Sequence, residues 1–257
     1  HLKASRNPIE GGIMSEKIKV YAINPVQGGL KAWGDVHREL LAPVSTPDVE
    51  VTLADLPDVP ITSIQSAYDG ELVALQHVRE AQKAEESGYD AVAMFCLDEP
   101  GVDAAREVLR IPVTSDAHAS MHLASLAGRR FSFVLGGHGS FVGKWGGGLG
   151  VIEDLVRKYG FASKLASIRS FPAGPLDFAA QKTELGGLML EQAQKAVDED
   201  GADVIIGYGG LDVIGFLRKH LEVPVVSPIQ ASVVMAATLA RLNLAQSKRA
   251  YPKPPRL

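Results

Sequence analysis

Residues 86–126 read ESGYDAVAMFCLDEPGVDAAREVLRIPVTSDAHASMHLASL, and residues 199–239 read EDGADVIIGYGGLDVIGFLRKHLEVPVVSPIQASVVMAATL. Both share one grammar: a helix end, a Gly-x-Asp turn, an apolar run short enough for a buried strand, a loop, a helix, a Pro-Val strand, and a helix of small residues. A unit written twice implies two matching lobes. Outward from this pair, β-branched runs place strands near 17–23, 49–56, 89–95, 111–114, 130–135, 164–170, 202–207 and 223–227. Helical patterns fall near 71–87, 100–109, 117–127, 151–159, 184–199, 211–221 and 230–242. Strands alternating with helices are the mark of βα units around a parallel sheet. The expected fold is therefore α/β, with two pseudo-symmetric lobes, each a parallel four-stranded sheet flanked by helices, and the active site in the cleft between them. Residues 14–115 with 229–245 make lobe 1, and 116–228 make lobe 2. The opening HLKASRNPIEGGI lacks apolar periodicity, so 1–13 is expected to be an expression-vector remnant ahead of Met14. The basic, proline-rich 246–257 is expected to be a flexible tail or an arm laid on a neighbouring subunit.

Composition narrows the partners. Of 257 residues 46% are hydrophobic and 22% charged, which suits a globular protein with a sizeable core. A formal charge of −4, with Lys and Arg scattered among acids, offers no phosphate-neutralising stripe, so nucleic acid is not an expected partner. No apolar run approaches the ~20 residues of a membrane span. One cysteine cannot close an internal disulfide, and the cytoplasm is the default compartment.

That cysteine, Cys96, follows an apolar run and precedes a helix start in which Pro100 suits the first turn and Asp98, Glu99 and Asp103 face the positive end of the dipole. In parallel sheets ligands collect beyond the carboxyl ends of strands, so the loops after 89–95 and 202–207 face each other across a cleft. By residue type alone a lone Cys here is a packed small hydrophobe.

The segments FCLDEPGVDAARE, IQSAYDGEL, LRIPVTSDAHASMHLASLAGRRFSFV and GADVIIGYGGL together resemble the hydantoin and allantoin racemase branch of the aspartate/glutamate racemase superfamily, over roughly 18–242. The resemblance implies a two-lobed α/β enzyme that moves a proton on carbon with no cofactor, metal or pyridoxal phosphate, forms a homo-oligomer, and accepts a small carboxylate or cyclic-amide substrate. It makes Cys96 an acid/base. A helix N-terminus and backbone N–H groups can lower a thiol from ~8.5 far enough to populate thiolate. The family takes one thiol from each lobe, whereas here the second position reads IIGYGGL: ungapped matching sets Gly209 opposite Cys96, and matching the glycines points to Tyr208. A symmetric two-thiol racemase is excluded.

The remaining candidates gather around these loops. Tyr208 or His118 could serve the far face; a strand-end Tyr otherwise caps a core, and its ordinary pKa of ~10 would need help. His118 and His122 lie four apart on a helix beside Asp116, but Ala119 stands where a zinc-hydrolase motif needs Glu, so no metal is expected. Asn24 and Pro25 of NPVQGG match the family's carboxylate loop, although its Thr is absent. Tyr68 and Leu97 could wall a substrate, Gly209 and Gly210 could offer N–H donors to an oxyanion, and Ser227 and Pro228 complete the rim. The glycine-rich LGGHGSFVGKWGGGLG, with His138, fits no nucleotide motif and reads as a loop over the cleft. One thiol suits a lyase or decarboxylase as well as a racemase or isomerase, and a non-catalytic binding homologue is the alternative outside enzymes.

Overall fold

The computed structural model describes residues 17–137, 149–173 and 182–256. The expected remnant at 1–13, and His138 with most of its glycine-rich segment, lie outside these. One sheet joins β1 (Ile18–Ile23), β2 (Val49–Ala54), β3 (Ala91–Met94) and β4 (Val113–Ser115) in the order β2-β1-β3-β4. The other joins β5 (Phe131–Gly136), β6 (Leu165–Phe171), β7 (Val204–Gly207) and β8 (Val225–Val226) in the order β6-β5-β7-β8. Every pairing is parallel, and Val92 lies opposite Val113 as Ile205 lies opposite Val225. The written repeat is thus a repeat in space. All residues of β3 and β7 are buried, which is why each reads as an unbroken apolar run rather than an alternation.

The helices are α1 (Gly29–Leu41), α2 (Ala67–Glu86), α3 (Val102–Val108), α4 (Asp116–Ala127), α5 (Leu149–Lys158), α6 (Lys182–Asp198), α7 (Leu211–His220) and α8 (Pro228–Arg241). The sequence patterns had not pointed to α1, whose buried face mixes Gly29, Gly34 and His37 with Val36, Leu40 and Leu41. Helix α2 begins before 71 because Ser66 caps it: its hydroxyl oxygen accepts the Asp69 N–H at 3.2 Å, and the Asp69 carboxylate accepts the Ser66 hydroxyl and the Gln65 N–H, both at 2.9 Å.

The last helix of each repeat crosses over. Helix α4 packs on β5, β7 and β8, α8 packs on β1, β3 and β4, and the two lie against each other. The largest core cluster accordingly mixes both halves, with Phe95 and Ala93 beside Ile205, Val233 and Ala236. No helix among the described residues is long and apolar enough to cross a membrane.

The tail departs from the loose segment expected at 246–257. The Gln246 amide donates to the Val113 carbonyl and its oxygen accepts the Val113 N–H, both at 2.9 Å, completing the open edge of β4. The Lys248 ammonium donates to the carbonyls of Arg106, Glu107 and Leu109, where α3 presents its negative end.

Candidate active site

Past β3 the chain enters a constrained loop. The Phe95 N–H donates to the Ile23 carbonyl at 3.0 Å, and the Cys96 N–H donates to Oδ2 of Asp116 at 3.0 Å. Cys96 has φ 143°, Glu99 φ 53° and Gly101 φ 80°. A Cβ at Gly101 would stand 2.5 Å from the Ala74 carbonyl oxygen, so glycine is required twice over. Positive φ at non-glycine residues costs ~1–3 kcal/mol each and persists only where the surroundings impose it. Here the buried Glu99 carboxylate accepts the Ser115 hydroxyl at 2.6 Å, the His118 N–H at 2.8 Å and the Tyr159 hydroxyl. Buried His77 adds Nδ1–H to the Pro100 carbonyl at 3.2 Å.

Cys96 lies deep yet keeps partial exposure. Burial and the Asp98 carboxylate push its thiol well above the ordinary range, Asp116 adds to the rise, and the N–H groups of Asp98 and Glu99 oppose it. The lowering expected from the helix start is therefore overcome, and the resting group is a thiol able to give a proton. Asp98 is itself pushed up to about 6 by burial and the neighbouring Glu99 charge. It also lines a groove with Ser66, Glu71 and Val151. Asp116, 0% exposed, is pushed up to about 7 by burial, against the hydrogen bonds it accepts from Cys96 N–H and, at 2.9 Å, from the Ser232 hydroxyl of α8.

The second half ends differently. Strands β3 and β7 are four residues each, so Phe95 and Tyr208 follow them, then Cys96 and Gly209. A Cβ at Gly209 would lie 3.0 Å from Cγ1 of Val213, leaving little room for a side chain. Burial, with the charges of Asp116 and Cys96, pushes the Tyr208 hydroxyl well above its ordinary value, so it is a proton donor within electrostatic reach of the thiol. Leu97 packs in one cluster with Tyr208 and Val226. Ser227 caps the buried Pro228 at the start of α8, and Gly210 caps α7. Asn24, followed by the half-exposed Pro25, leaves β1 beside β3. The Asn24 side-chain nitrogen and the Ser227 hydroxyl are buried without a hydrogen-bond partner among the described residues. Asn24 neighbours Asp55 and helps hold that carboxylate, but makes no well-formed bond to it.

The other two candidates lie on helices. Tyr68 is 72% exposed in the first turn of α2. His118 accepts from Arg106 Nη2 at Nδ1, 3.1 Å away; because Arg only donates, the proton is on Nε2, which donates to His122 at 3.0 Å. The ring stacks on Tyr159 with centroids 3.8 Å apart, and burial with the Arg106 charge lowers its pKa to about 3. The repeat shows what the position does: Arg218 Nη2 donates to the Gln230 side chain at 3.1 Å, and Nε of Arg106 and Arg218 reach the carbonyls of Val113 and Val225 at 3.5 and 3.2 Å. His118 is thus the arginine's acceptor, with both nitrogens engaged away from the thiol. The described residues hold no group of three or more His, Cys, Asp or Glu placed to bind a metal. Sequence patterns overlooked Asp116 and Glu99; the only sign of the former was an acid directly after a Pro-Val strand where the other copy has Pro228.

The family model for Asp/Glu/hydantoin racemases matches residues 23–236. The chain belongs to the Asp/Glu/hydantoin racemase family. Among relatives of this racemase family, a hydantoin racemase of Pseudomonas sp. (strain NS671) is 35% identical over 90% of this chain and 89% of its own. A hydantoin racemase of Rhizobium meliloti is 30% identical over 91% of this chain and 95% of its own. The structure of allantoin racemase from Klebsiella pneumoniae superposes with a TM-score of 0.80 at 25% identity, covering 94% of this chain and 96% of that one. The two parallel four-stranded sheets are thus the family's architecture, and this member is an enzyme of the racemase and isomerase class.

Proposed function

We propose that this protein is a cofactor-independent racemase acting at the carbon beside a carbonyl in a hydantoin-like cyclic amide, with Cys96 as its single thiol acid/base. The observation that carries this reading is the placing of two strand-end proton carriers from opposite halves, Cys96 past β3 and Tyr208 past β7, with Leu97 packed in one cluster with Tyr208. The relatives' names support the substrate class. In one direction Cys96, as thiolate, removes the carbon-bound proton, and the Tyr208 hydroxyl returns one to the opposite face; in the other direction the roles exchange. The planar intermediate between them carries its charge on the carbonyl oxygen. The unpartnered Asn24 amide and Ser227 hydroxyl, with N–H groups of Gly209 and Gly210, are the donors available to it.

The test is deuterium uptake. Enantiopure 5-substituted hydantoins, α-amino acids and arylmalonates are incubated in D₂O with wild type and Cys96→Ala, following label by NMR and optical rotation by polarimetry. Label with loss of rotation on hydantoins, absent in Cys96→Ala, supports the proposal; equal labelling in both proteins rejects the thiol's role. A second reading is favoured by Gly209 standing where a second thiol would be: a one-sided lyase or decarboxylase of a small carboxylic acid, with Cys96 as donor. It would show as CO₂ release from malonates, or as label without inversion.

A further inference from the structure

The Cys96 peptide is strained, its N–H is held by a carboxylate in α4, and that carboxylate is held by a hydroxyl in α8, the helix contributed by the other repeat. We propose that Asp116 is a positioning residue that clamps the Cys96 backbone and, through its charge, keeps the thiol protonated, with Ser232 as the anchor that ties this setting to the second half of the chain.

The geometry is specific to this use. Asp116 Oδ2 takes the Cys96 N–H and Oδ1 takes the Ser232 hydroxyl, so the carboxylate bridges the two repeats with both oxygens occupied and no exposure. Ser232 is fixed in turn: its carbonyl accepts the Thr114 hydroxyl of β4 at 2.9 Å, and its own hydroxyl also reaches the Ile229 carbonyl at 3.1 Å. Its counterpart in α4, Ser120, bonds the equivalent Ala117 carbonyl and, among the described residues, no carboxylate. At the position matching Asp116 the second repeat has Pro228, which carries no charge, so the device exists only beside the thiol. Among the described residues the other ionisable groups facing Cys96 are Asp98 and Tyr208; Glu99 faces Asp116. Asp98 raises the thiol from its own loop, whereas Asp116 alone does so from a neighbouring element.

This inference rests on Cys96 being the acid/base, but its test does not require turnover. Because Cys96 is the sole cysteine, its titration can be read from the pH dependence of iodoacetamide alkylation, followed by intact mass. Asp116→Asn keeps the size and an accepting oxygen but removes the charge. Its alkylation midpoint is expected to fall by about half a pH unit or more, so that alkylation at pH 8 is faster by about threefold or more. Asp116→Ala, which also removes the clamp, is expected to lower kcat for deuterium exchange further than Asp116→Asn does, with KM little changed. Ser232→Ala leaves the carboxyl charged where the thiol titrates but frees it from its anchor, so the midpoint is expected to stay while kcat for exchange falls with KM little changed. It carries the test if the Asp116 variants do not fold by circular dichroism. Folded Asp116 variants that alkylate with the wild-type midpoint, or a folded Ser232→Ala with wild-type exchange, would overturn the proposal. A shifted midpoint alongside unchanged exchange in Cys96→Ala would instead uphold the clamp and reject the catalytic reading.

Discussion

At the scale of single residues, burial raises both the thiol and the hydroxyl, and each serves its own face of the substrate carbon, so the two ask for different tests. Cys96→Ala is expected to lose both exchange and inversion by ~10²–10⁴-fold, the usual worth of a positioned acid/base. Tyr208→Phe keeps the ring in its cluster and removes only the proton, so exchange through Cys96 should survive while inversion is lost; a chiral assay run beside NMR separates the two. Asp116 leads to a stability prediction whose sign follows from its raised pKa. The folded form holds its proton up to about pH 7 whereas the unfolded chain releases it near ~4, so Asp116's contribution is most favourable below pH 4 and is lost as pH rises through 7. Asp116→Asn stays neutral. Its melting temperature relative to wild type is therefore expected to rise between pH 4 and pH 8, as calorimetry at the two pH values would show; a constant difference would reject the shift.

At the scale of elements, the strands were legible and one helix was not. The strands announce themselves as short β-branched runs, and β3 and β7, buried on both faces, as continuously apolar ones. Helix α1 hid because Gly29, Gly34 and His37 interrupt the buried stripe of Val36, Leu40 and Leu41. The loop after β3 was legible as a place but not as a conformation: nothing in CLDEPG states that Cys96 and Glu99 take positive φ, since that follows from His77 of α2 and Asp116 of α4 gripping it, and from the bonds of Glu99 itself to Ser115 and His118. Gly101 is the exposed point of this arrangement. Gly101→Ala must both adopt φ 80° and push Ala74 away, so a loss of more than ~1 kcal/mol by urea unfolding is expected, with slower proton exchange. At the far edge Gln246→Ala would leave the Val113 N–H unpaired and its carbonyl with Arg106 Nε alone, at a cost of ~1–3 kcal/mol. Wild-type stability in that variant would show the tail to be as loose as its composition suggests.

At the scale of the whole molecule, the repeat determines what can face what. Matching strand to strand equates Ala91 with Val204, while matching edge strands equates Val113 with Val225, so the second copy is one residue shorter between them. That shortening falls between the strand and the arginine pair Arg106 and Arg218, so letters alone left two candidates for the place opposite Cys96: the strand match yields Gly209, and the neighbouring side chain is that of Tyr208. Helix exchange then makes the site a joint product, since α8 anchors Asp116 and α4 covers the sheet that ends in Tyr208. If the missing thiol is what separates this chain from a symmetric racemase, the strand frame to carry one is present but the space is not, because Val213 Cγ1 stands 3.0 Å from the Cβ that residue 209 would need. Gly209→Cys alone is therefore expected to lower the melting temperature, and Val213→Ala in the same chain to recover only part of it, because the Cγ1 contact goes while Val213 Cβ stays 3.1 Å away. In a Tyr208→Phe background the double substitution should restore inversion, with Cys96 and the new thiol on opposite faces, measured as loss of optical rotation by an enantiopure hydantoin in D₂O. Recovery of stability without recovery of inversion would mean that the two strand ends do not face a common carbon, and the proposed division of labour between the halves would fall with it.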